Sequence, residues 1–147
     1  MGYRHTQPAW IILALMIPAL GMLIAIYLNG AFGDAEKVII QLTIVLLFGA
    51  AVFFSSLTVK VTEKEIIWYF GPGIWKYRLG LDQVKEVKKG RSHPLEGIGI
   101  RWNPWKGMLY SVSGLDNVEI LRRNGKLTRI GTDEPDKLVK AIQNRLS

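Results

Sequence analysis

No cysteine occurs among the 147 residues, so disulfides, thiolate metal sites and cysteine nucleophiles are excluded. Histidine is almost as scarce. His5 lies in the N-terminal tail and His93 precedes Pro94 in a loop, a pair too sparse for a transition-metal site. Ser92 beside His93 lacks the Gly-x-Ser-x-Gly turn that would expose it as a nucleophile. Neither Gly71-Pro72-Gly73 nor Gly97-Ile98-Gly99 is followed by Gly-Lys-[Ser/Thr], so neither is a phosphate loop. The few acids fall in turns, at strand edges and at a helix start, where solubility and capping account for them. No pair is placed for acid–base work. The residues therefore predict no catalytic group, no metal and no cofactor, and a protein that is not an enzyme.

Charge is missing from two long stretches. Ala9–Leu28 and Val38–Leu57 are each 20 residues without a charged side chain. At about 1.5 Å per residue, a helix of that length spans the roughly 30 Å hydrocarbon core of a bilayer. Both runs are apolar on every side, which reads as membrane helix rather than amphipathic surface helix. The first is too long for the apolar region of a signal peptide, and a second span follows within ten residues. Residues 1–57 are thus predicted to be a membrane anchor with two spans, and the chain a multi-pass protein of the cell membrane. Arg4, Lys60 and Lys64 flank the spans on the terminal side, against Lys37 alone in the connection. That bias predicts a cytoplasmic N-terminus and a cytoplasmic C-terminal domain. With no ionisable residue inside either span, the hairpin reads as an anchor rather than a pathway for ions.

The first 57 residues hold only Arg4, Lys37, Asp34 and Glu36, which cancel, so the net charge of +7 falls wholly on 58–147. Strand patterning begins here. Leu57–Thr62 alternates, Glu65–Phe70 is β-branched and aromatic, and Ile74–Leu79 alternates again. Gln83–Lys89 fits an edge strand or a helical turn, Gly90–Gly97 a loop, and Ile98–Trp102 and Met108–Val112 two more strands. Asn117–Arg123 and Lys126–Gly131 flank Asn124-Gly125, a strong hairpin signal. A C-terminal helix follows, capped by Thr132 or Asp133, with Leu138, Val139, Ile142 and Leu146 on one face. The fold class is α+β: a transmembrane helical hairpin, then a barrel or sandwich of about seven antiparallel strands closed by one helix.

Several phrases in 58–147 resemble the bacterial pleckstrin-homology-like domain proteins. They are Leu57-Thr-Val-Lys-Val-Thr62, Pro94-Leu-Glu-Gly-Ile-Gly-Ile-Arg101, Tyr110-Ser-Val-Ser-Gly114, and Arg129-Ile-Gly-Thr-Asp-Glu-Pro135 with Leu138 after it. The resemblance implies two near-orthogonal antiparallel sheets closed by the last helix, joined to a short membrane hairpin. It implies no common enzymatic activity.

The candidate contact residues are basic or aromatic. Lys85, Lys88, Lys89 and Arg91 cluster in one stretch. Arg122, Arg123, Lys126 and Arg129 crowd the Asn-Gly hairpin, and Trp105 with Lys106 marks a loop. Trp68 and Trp75 are expected in the core. The predicted role is a membrane-anchored interaction module that binds or scaffolds a protein partner, or self-associates, at the inner face of the membrane. The alternative is a binder or sensor of anionic lipid headgroups through the basic surface. Nucleic acid is not an expected partner.

Overall fold

The computed structural model describes residues 2–96 and 98–147. Two helices of 20 residues each, α1 (Trp10–Asn29) and α2 (Asp34–Phe53), form an antiparallel hairpin. Pro18 is accommodated inside α1. The Glu36 carboxylate accepts a hydrogen bond from the Gly33 N–H at 3.1 Å, closing the start of α2. The second helix therefore starts four residues earlier than Val38 and stops at Phe53, because Ser56 and Leu57 are already strand. Across the pair, Gln41 Nε2 donates to Tyr27 Oη at 2.7 Å. Nearly all other side chains of both helices point away from any protein core.

The rest is strand, with one helix at the end. The described residues form β1 (Tyr3–Pro8), β2 (Ser56–Val61), β3 (Glu65–Phe70), β4 (Lys76–Gly80) and β5 (Val84–Arg91). They continue with β6 (Gly99–Asn103), β7 (Gly107–Ser111), β8 (Asp116–Arg122), β9 (Leu127–Gly131) and α3 (Pro135–Leu146). Nine strands replace the expected seven or so. They form two separate sheets, ordered β1-β2-β3-β4 and β5-β8-β9-β7-β6. Not all pairing is antiparallel. The β8–β9 hairpin slots β9 against β7, so Met108–Tyr110 and Thr128–Ile130 run parallel.

The largest departure is β1. The N-terminal tail is a strand, paired with β2 from Tyr3↔Val61 to Pro8↔Ser56. Residues 1–57 are therefore not a separate anchor. The folded domain starts at Tyr3, and the helical hairpin is inserted into the connection between its first two strands. Gln7 is buried, and its side chain donates to Ser113 O and Oγ at 3.2 and 2.8 Å. His5 pairs with Asp133 and Glu134 ahead of α3. Burial, and then the Glu134 carboxylate, push the Tyr3 phenol up to about 12.

The core lies between the sheets. Leu57, Val59, Val61, Ile66, Trp68 and Phe70 meet Tyr110, Val118, Ile120 and Ile130, and α3 adds Leu138 and Ile142. Trp68 is 1% exposed and stacks with Tyr77, as expected for a core residue. Trp75 is not in the core. It is 64% exposed, because β4 begins only at Lys76 and leaves Trp75 in the turn. Strand β5 is an edge strand that runs on to Arg91, shortening the expected loop. Gly97, the last residue of that loop, lies outside the described residues. Glu134 stands at the N-cap of α3 without a side-chain cap; Asp133 is engaged by His5, and Thr132 Oγ1 accepts from the Glu134 N–H at 3.1 Å.

Candidate functional site

The two ends of the domain are distinguished by what ties to them. At one end the helices leave. The Ala9 N–H donates to Ser55 O at 2.9 Å, so the ladder of β1 and β2 runs unbroken into the helix bases. Phe53 and Phe54 pack on the buried Phe70, with ring centroids 6.4 and 5.4 Å away. At the other end, the Leu81 N–H donates to Lys64 O in the β2–β3 turn, and the Arg123 N–H donates to Gln83 O. The β8–β9 hairpin tip, with Arg122, Arg123 and Lys126, therefore belongs to the end away from the helices.

The predicted basic residues separate into three groups. Arg129 is 1% exposed and is no surface contact. Its Nη1 and Nη2 donate to both Glu96 carboxylate oxygens at 3.1 and 2.9 Å, and its Nε donates to Lys106 O at 3.1 Å. Those hydrogen bonds hold the Glu96 carboxyl below its ordinary range. Arg129 thus pins the Pro94–Glu96 turn and the β6–β7 turn against the sheet. A second group is exposed but partnered: Lys88 with Glu119 at 3.7 Å, Lys89 with Asp136 at 3.3 Å, and Lys106 with Glu96 at 3.9 Å. Arg122 is half-buried and its Nε donates to Thr128 Oγ1 at 3.1 Å. Third, among the described residues, the side chains of Lys85, Arg91, Arg123 and Lys126 are exposed and make no hydrogen bond or ion pair. Arg91 lies opposite Asp116 at the end of β5, and Lys85 lies at its start, so the four do not form one patch.

The exposed tryptophans line different grooves, Trp105 beside Lys88, Glu119, Leu121 and Leu127, and Trp102 beside Met108, Tyr110 and Thr128. Trp105 is 92% exposed at the tip of the β6–β7 turn, where Asn103 Oδ1 accepts from the N–H groups of Trp105 and Lys106. Trp102 is 70% exposed on β6, the outermost strand of its sheet. The registers Trp102↔Met108, Met108↔Thr128 and Ile120↔Thr128 put Trp102 on the same face as the core residue Ile120. That face continues past the cover of the four-stranded sheet, so Ile100 and Trp102 are left open to solvent. An open groove beside them is lined by Trp102, Met108, Tyr110, Arg122, Lys126 and Thr128. The alternation of β6 is visible in the sequence. That no second sheet covers its apolar face is not.

Scans of the chain against protein-family models and against curated proteins return no match.

Proposed function

We propose that this chain is a membrane-anchored, pleckstrin-homology-like interaction module that holds a protein partner at the cytoplasmic face of the bilayer, without catalysing a reaction. The helices support the anchor. Both are long and apolar enough to cross, and nearly all of their side chains lie outside the protein core, unlike the core helix of a soluble protein. The observation that carries the partner site is the open end of the five-stranded sheet. Strand β6 offers an unpaired backbone edge, and Ile100 and Trp102 stand exposed beside it. An extended segment of a partner can add to such an edge, its backbone pairing with β6 and its apolar side chains meeting Ile100 and Trp102. Arg122 and Lys126 along the groove favour acidic residues in that segment. Tethering raises the local concentration of the domain at the membrane, so a modest intrinsic affinity suffices.

The test is a photo-crosslinking residue in place of Trp102 in native membranes, with the same residue in place of Arg78 on the other sheet as control. A discrete adduct at 102, absent at 78 and lost in Ile100→Asp, is expected. An adduct of twice the chain mass identifies a second copy as the partner. Equal labelling at both positions would sink the β6 site. The alternative reading, an anionic headgroup contact, is supported by Arg91, which lies near the helix end and makes no ion pair.

A further inference from the structure

Two large apolar side chains are exposed at the end of the domain from which the helices leave. Ile74 is 78% and Trp75 64% exposed in the β3–β4 turn. The apolar residues of β4 itself face inward: Leu79 is buried and Tyr77 stacks on Trp68. The turn is pressed against the base of α2. The Gly71 N–H donates to Ser56 O at 2.9 Å. A Cβ on Gly71 would stand 2.4 Å from Val52 O and 2.5 Å from Phe53 O, so the turn and the last helical turn are in backbone contact. The topology sets its direction: β2 leads away from α2, β3 runs back antiparallel to it, and the turn emerges beside the helix ends. Lys76 follows at once, its Nζ 5.7 Å from the Tyr69 ring centroid, and Lys60 Nζ lies 5.6 Å from the same ring.

We infer that the Ile74–Trp75 turn is a third membrane contact, entering the headgroup boundary of the same bilayer beside the base of the helical hairpin. This inference rests on the proposal that α1 and α2 cross that bilayer. Tryptophan is favoured at the interface because its ring is apolar and its N–H needs a polar partner. Lysine beside it keeps its charge among the phosphates while its stem lies along apolar groups. Continuity with the helix ends commits the turn to lipid. Two helices alone leave the molecule as a whole free to tilt in the bilayer about the line joining them. A third contact off that line fixes the tilt, and with it the height of the β6 edge above the membrane.

Because the chain has no cysteine, one introduced thiol is a unique label. The full chain is reconstituted in vesicles of phosphatidylcholine and phosphatidylglycerol. An environment-sensitive fluorophore is attached at Ile74→Cys, at Ile17→Cys in α1, or at Asn124→Cys at the far hairpin. Quenching by lipids spin-labelled at shallow or deep positions is then read. All three side chains are exposed, so labelling does not disturb the core. The expected result is deep quenching at Ile17→Cys, and shallow quenching at Ile74→Cys several-fold above that at Asn124→Cys. Deep quenching at Ile17→Cys with Ile74→Cys no different from Asn124→Cys would overturn the third contact alone. No quenching at Ile17→Cys would overturn the membrane spans and this inference together.

Discussion

At the scale of single residues, Arg129 shows how far a charge in a strand can be from a surface contact. Its guanidinium is buried against a Glu96 side chain that is 13% exposed. Truncating one member of such a pair leaves the other charge unsatisfied in a poor environment. Arg129→Ala is therefore expected to destabilise the domain by about 3 kcal/mol, read by urea unfolding. The pH dependence has a definite sign. Glu96 has its carboxyl lowered in the folded state, so the unfolded chain takes up more protons as pH falls. The stability it contributes is full above the ordinary glutamate range and is lost as pH drops through its folded value. Glu96→Gln is expected to flatten the acid side of the stability–pH curve. An unchanged slope would mean that the pair does not contribute. Gly71 is a third such residue. Its φ of 51° is in the left-handed region, and a methyl group there meets two backbone carbonyls of α2. Gly71→Ala is expected to lower the unfolding midpoint by loosening the turn from the helix.

At the scale of elements, β1 is the strand that changes the account of the chain. A fragment of 58–147 lacks it, and also lacks the first two residues of β2. Such a fragment exposes the open edge of the four-stranded sheet and uncovers the neighbours of Gln7. It is expected to aggregate or to unfold at lower urea than a chain in which residues 10–53 are replaced by a short turn between β1 and β2. Circular dichroism during urea titration compares the two, and equal midpoints would show that β1 is dispensable. The element boundaries legible in sequence were those with a local cause. Asn124-Gly125 set the β8–β9 hairpin, because glycine at position 125 takes a φ of 84°. The apolar spacing of Leu138 and Ile142 set α3. Trp75 keeps the alternation of 74–79 yet lies outside β4, because that period is the same whether or not the first two residues pair.

At the scale of the whole molecule, the absence of a linker decides the mechanics. Both crossings from sheet to helix are bridged by the Ala9–Ser55 hydrogen bond, and the α2 crossing is clamped by the Phe53, Phe54 and Phe70 rings. The domain is therefore expected to hold one orientation relative to the helices. Spin labels at Leu28→Cys, near the helix tip, and Asn124→Cys, at the far hairpin, should give a single narrow distance distribution. A broad distribution would show that the helix bases act as hinges. Under the proposed function, that rigidity fixes where the β6 edge and Trp102 lie relative to the helices.

The sequence by itself determined what depends on neighbours along the chain: two uncharged stretches long enough to cross a bilayer, the excess of positive charge after them, the Asn-Gly hairpin and the closing helix. The tertiary structure alone decided what depends on residues far apart. Pairing of residues 3–8 with 56–61 joins segments separated by both helices, and a six-residue polar strand carries no local sign of its partner. The parallel register of β7 and β9, the burial of Arg129 and the exposure of Trp75 and Trp102 follow from the same cause. Side-chain periodicity states which residues share a face. Whether another layer covers that face is settled only when the sheets pack.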